Sequence, residues 1–113
     1  MGRKEHVMAE WEEKKTEETR KIESLFRTEF PHTDAYRFNS ASIRVRVIDD
    51  RFEGKSIAER EAMVLPLLKK PPKKTRDDVL LLLTLAPSEQ EQRTFNSQTL
   101  MNLEFEQPLP SRL

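Results

Sequence analysis

The apolar positions change period along this chain, and each change marks an element. Strong helix formers dominate up to Phe30 and no proline precedes Pro31, so the first thirty residues are predicted to be helical. Their apolar residues fall into two groups, Val7, Met8 and Trp11 and then Ile22, Leu25, Phe26 and Phe30, with a nearly all-charged stretch between them. The three- and four-residue spacing of Ile22, Leu25 and Phe26 puts them on one helical face, which is predicted to pack on a core. Residues 1–17 are expected to protrude as a helical extension, leaving Trp11 either a partner contact or a lone surface aromatic.

After Pro31 the period drops to two. Ala35-Tyr36-Arg37-Phe38 is followed by Ser42–Ile48, in which Ile43, Val45 and Val47 alternate with Ser42, Arg44 and Arg46, the pattern of a half-buried strand. The short polar link Asn39-Ser40-Ala41 predicts an antiparallel hairpin with Arg44 and Arg46 on its open face. A loop follows in which Gly54 can take a positive φ. Ser56 and Glu59 have capping-box spacing, so a helix opens there with Ile57, Met63 and Val64 inward and a break or kink near Leu65, ahead of Pro66.

Lys69-Lys70-Pro71-Pro72-Lys73-Lys74 reads as an exposed basic loop extended by its prolines. The apolar run Val79–Leu85 is assigned by length and context to a central strand covered on both faces. Ala86-Pro87-Ser88-Glu89 has the signature of a helix start, running to about Arg93. Leu103 and Phe105 then lay the chain over the core. The predicted organisation is an extension at 1–17, a domain at 18–105 and a flexible tail at 106–113. Its class is α+β, in the order αββαβα, with helices on one face of a small mixed three-stranded sheet.

Composition narrows the function classes. At 113 residues the chain has room for one domain. Lys+Arg and Asp+Glu are equal at 20 each, so no field of the whole molecule demands a polyanionic partner, and the local distribution carries that question. The absence of cysteine removes thiolate metal sites and thiol nucleophiles. No apolar run approaches the ~18 residues of a membrane span and the N-terminus is charged, so a cytoplasmic protein without membrane contact is expected.

The stretch Arg46-Val47-Ile48-Asp49-Asp50-Arg51-Phe52-Glu53-Gly54-Lys55-Ser56-Ile57-Ala58-Glu59-Arg60-Glu61 resembles the centre of the BolA-like proteins. There a strand runs into a phenylalanine, a near-adjacent glycine and lysine, and a helix bearing a Glu-Arg-His triplet. Leu83-Thr84-Leu85-Ala86-Pro87-Ser88-Glu89 is similar to that family's last strand and following helix start, and the match covers about half the chain. The resemblance implies a fold like class II KH domains and a role as an adaptor or regulator. Family members associate with monothiol glutaredoxins around an iron–sulfur cluster, and some bind DNA. Glu61 stands where the family's helix has its histidine ligand, and Asn39, Ser40 and Ala41 stand where some members place a cysteine or histidine. A carboxylate is a hard donor poorly suited to such a cluster, so no cofactor is expected.

Candidate contacts follow. Arg44, Arg46, Lys69, Lys70, Lys73, Lys74 and Arg76 would neutralise phosphates if they converge, making nucleic acid one expected partner. Against this, the chain lacks the Gly-x-x-Gly clamp of KH domains, having only Gly2 and Gly54. Arg51, Phe52, Lys55, Arg60 and Trp11 are the candidate protein-partner residues, with a glutaredoxin-like partner by analogy and a monomer or homodimer as the assembly. The acidic run Glu10, Glu12, Glu13, Glu17 and Glu18 is opposite in sign to Lys69–Arg76, so association through the N-terminal helix is the alternative. Neither His6 nor His32 has ligand spacing, and no nucleophile motif is present, so an enzyme is not expected.

Overall fold

The computed structural model describes residues 10–90 together with Asn102, Phe105 and Glu106. The chain begins with a 3₁₀ helix at Glu10–Lys14 and helix α1 at Glu17–Arg27. Strands β1 (His32–Asn39) and β2 (Ser42–Ile48) follow, then a 3₁₀ turn at Asp50–Phe52. Helices α2 (Ile57–Leu68) and α3 (Lys73–Asp78), strand β3 (Val79–Leu85) and helix α4 (Pro87–Gln90) come next, and Asn102, Phe105 and Glu106 are also helical. The class is α+β with a mixed three-stranded sheet, as the sequence predicts.

One long N-terminal helix is not what residues 10–27 form. The 3₁₀ helix ends at Lys14, and Thr16 caps α1: its hydroxyl accepts from the N–H of Thr19, and Thr19 Oγ1 accepts from the N–H of Thr16 at 2.8 Å. This reciprocal pair satisfies two N–H groups that a continuous helix would have to bond elsewhere. Val7 and Met8 lie outside the described residues.

The hairpin forms as predicted, with Ala35 opposite Val45 and Tyr36 opposite Arg44. β3 pairs in parallel with β2, placing Leu82 beside Val45 and Leu83 beside Arg46. β2 is therefore the central strand and β3 an edge, which corrects the sequence assignment. Leu80, at the register shift near the start of β3, is 68% exposed.

Alternation along β2 separates two cores. Ile43, Val45 and Val47, with Ala35, face the helices and pack with Ile22 and Phe26 of α1, Val64 and Leu67 of α2, and the stacked rings of Phe30 and Phe52. The opposite face carries Tyr36 and Leu83, covered by Trp11 and Phe105. Glu23 of α1 closes the outer edge of β1 by accepting from the N–H of Ala35 at 2.9 Å, with Lys15 against the same oxygen.

Smaller features follow local chemistry. Gly54 has φ of 75°, which a larger residue would adopt only with strain. The Ser56–Glu59 capping box is present in both directions, at 3.1 and 2.7 Å. α2 runs unbroken through Pro66, so the predicted break is absent, and Ile57 is 43% exposed rather than inward. The predicted basic loop is partly helical, because Lys73–Asp77 and Lys74–Asp78 form i,i+4 pairs once Pro72 starts the turn.

Candidate nucleic-acid interface

The predicted basic residues divide into a ridge and a covered face. On the ridge, Lys69 and Lys70 follow the end of α2, and Lys73, Lys74 and Arg76 project from α3, all of them exposed. Lys69, Lys70 and Arg76 make no ion pair among the described residues. Lys73 is 2.7 Å from Asp77 and Lys74 is 3.8 Å from Asp78, with both lysine side chains more than three-quarters exposed. Such exposed i,i+4 pairs are worth only a few tenths of a kcal/mol, about 0.3–0.5, and yield readily to a phosphate.

Arg37 bridges two acids at this end of the molecule. Its guanidinium takes Glu18 at 2.8 Å and Asp78 at 3.0 Å, and also donates to the carbonyls of Asn39 and Ser40 in the hairpin turn. One buried-side arginine thus occupies two acids and ties α3 to the hairpin. The acidic start of α1 and the ridge also meet across a cleft of about 310 Å³, lined by Glu17, Glu18, Lys21, Lys70, Pro71 and Thr75 among others. No ion pair crosses it directly among the described residues.

Arg44 and Arg46 are not on an open face. Arg46 has only 5% of its side chain exposed: Nη2 bonds Asp34 at 2.6 Å, and Nη1 bonds Glu106 at 2.5 Å and Asn102 at 2.9 Å. Its charge is consumed inside the fold, so it is withdrawn from the ready contact surface. Arg44 is half-buried, with its guanidinium 3.7 Å from the ring centre of Phe38. Lys14 approaches the same ring at 5.8 Å. Phe38, itself 40% exposed, and Lys14 belong to this surface and went unrecognised in the sequence; the signal was the alternation that places Phe38 on the face of Tyr36.

Of the predicted protein-partner residues, three are interior. Trp11 is 5% exposed, packed at a tilt against the rings of Tyr36 and Phe105 and bonded through Nε1 to the carbonyl of Phe105, so it neither protrudes nor lies loose on the surface. Phe52 is fully buried. Arg60 is buried because it has internal partners: Nη1 and Nη2 take the two oxygens of Glu89 at 2.6 and 2.9 Å, Nη1 also bonds the carbonyl of Thr84, and Nε that of Lys55. That guanidinium holds the Glu89 carboxyl below the ordinary glutamate range; burial opposes the shift and the Ala86 N–H adds to it. Lys55 is exposed, and Arg51 is exposed but engaged by Asp49, the carbonyl of Glu29 and the ring of Phe30.

No cluster of three or more His, Asp or Glu side chains suited to a metal ion occurs among the described residues. No helix among them is long and apolar enough to cross a membrane. Comparison with protein-family models, with curated proteins and with solved structures finds no significant match in any of the three.

Proposed function

We propose that the protein is a non-catalytic binding module of the BolA-like kind, acting in the cytoplasm, that contacts nucleic acid through the ridge Lys69–Arg76. The observation that carries this reading is the ridge itself: five exposed cations within eight residues, two of them held only in exposed i,i+4 pairs with Asp77 and Asp78. Support also comes from the element order, which agrees with the fold the sequence resemblance implies. Glu61 lies exposed on α2 as an oxygen donor, which gives no reason to add an iron–sulfur cluster to the proposal.

The ridge offers charge without base-reading groups, so affinity should depend on salt more than on sequence. Gel shifts with duplex DNA across a salt series test this. The expected slope of log K against log salt falls by about 0.9 for each phosphate-contacting lysine removed, as in Lys73→Ala with Lys74→Ala. Absence of binding at low salt, or a slope unchanged by that double substitution, would sink the proposal.

A further inference from the structure

The sheet face opposite the helices has an unusual composition for a core. Across β1 and β2 it pairs Tyr36 with Arg44 and Asp34 with Arg46, and Phe38 stands at the hairpin end beside Arg44. Aromatic rings interleaved with arginines on an open sheet are the chemistry that binds single strands, bases stacking on the rings and phosphates taken by the guanidinium groups. Here the chain's own C-terminal part fills those places. The Phe105 ring lies 5.3 Å from the rings of both Trp11 and Tyr36, tilted to the first and edge-on to the second, and 4.7 Å from the Arg46 guanidinium, so an aromatic group already fills the place over Arg46 that a base would take. The Glu106 carboxylate sits 2.5 Å from Arg46 Nη1, where a phosphate oxygen would.

We infer that this face is a binding site for single-stranded nucleic acid, occluded by Phe105 and Glu106 acting as an internal stand-in for one nucleotide. The inference rests on the nucleic-acid reading of the protein but uses a different surface from the ridge. Glu106 is the weak point of the closure, with its side chain 36% exposed, whereas Asp34, the other acid on Arg46, is held at 14%. Phe38, 40% exposed at the hairpin end, offers the first contact, from which an incoming strand can displace Phe105 and Glu106. A site that is open only part of the time binds with an apparent affinity reduced by the open fraction, so weakening the closure should tighten binding.

The test uses the full chain and a fluorescein-labelled uridine dodecamer, with a duplex of equal length beside it. Phe105→Ala combined with Glu106→Gln is expected to bind the single strand about tenfold or more tighter than the unaltered protein, with duplex affinity unchanged. Trp11 is the sole tryptophan, and it lies under Phe105, so its emission should shift when the dodecamer saturates the unaltered protein. Equal single-strand affinity in the two proteins overturns the inference. If the double variant does not fold, the Trp11 titration decides: an unmoved spectrum at saturation, or no binding at all, overturns it. Loss of duplex binding in Lys73→Ala with Lys74→Ala speaks to the ridge alone, so the two readings fail separately.

Discussion

The indole N–H of Trp11 donates to the carbonyl of Phe105 at 2.7 Å, joining positions 94 residues apart above the same sheet face. Without this contact the second core would consist of Tyr36, Leu83 and their neighbours with no cover from the N-terminal side. Trp11→Ala removes the ring and the bond together and should cost about 3–5 kcal/mol. Trp11→Phe keeps much of the ring contact and strands a buried carbonyl, costing less, about 1–3 kcal/mol. Urea unfolding followed by circular dichroism measures both. Equal stability of Trp11→Ala and the unaltered protein would mean that this second core contributes nothing.

A second prediction concerns Arg60, whose guanidinium is anchored to Glu89, Thr84 and Lys55. Arg60→Met takes the guanidinium from the half-buried Glu89 carboxylate, which keeps the Ala86 N–H, and from the Thr84 carbonyl. Removing one partner of a fully buried pair costs about 3–5 kcal/mol, and the 27% exposure of Glu89 lowers the expectation to about 2–3. Arg60→Lys should recover little of it, because an ammonium cannot span both carboxylate oxygens and both carbonyls. Comparison of the two urea midpoints checks this, and full recovery by lysine would refute the forked geometry as the source.

The features readable from the sequence were those set by near neighbours. Ile43, Val45 and Val47 reveal their strand by alternation, and Ser56 and Glu59 reveal the start of α2 by spacing. The i,i+4 spacing of Lys73–Asp77 and Lys74–Asp78 favours the helix α3, and it outweighs the extended preference of the prolines before it. What stayed hidden depends on distant partners. Arg46 and Arg60 look like surface charges because their carboxylates, Glu106 and Glu89, lie 60 and 29 positions away. The leucines of β3 suggested a central strand because burial on one sheet face by helices and on the other by Trp11 and Phe105 leaves the same run as two-sided strand packing. Which edge of the sheet stays open is not a periodic property.

Pro66 offers a substitution expected to stabilise. It sits exposed within α2, where it denies the carbonyl of Ala62 its helical donor, yet the helix continues to Leu68. Alanine restores that bond and is preferred over proline in a helix interior by about 3 kcal/mol, offset by up to about 1 kcal/mol of added freedom in the unfolded chain. Pro66→Ala should therefore raise stability by about 1–3 kcal/mol, seen as a higher urea midpoint at an unchanged slope. A lower midpoint would show that the ring makes a packing contact worth more than the helical bond.

Acid should loosen the fold through Glu89 and Asp49. Arg60 lowers the pKa of Glu89, and Arg51 lowers that of Asp49 by its side-chain hydrogen bond, burial opposing in each case. A carboxyl whose folded pKa lies below its unfolded one stabilises the fold at neutral pH, where both states are ionised. That contribution shrinks as pH falls below the unfolded value, ~4, and is gone once the folded value is passed. Stability measured from pH 7 to pH 3 should accordingly decline most steeply below about pH 4.5. Glu89→Gln lowers stability at pH 7 because the charged partner is lost, and it flattens the decline because one titrating group has gone. Parallel curves for Glu89→Gln and the unaltered protein would show that the Arg60–Glu89 pair has no part in the acid response.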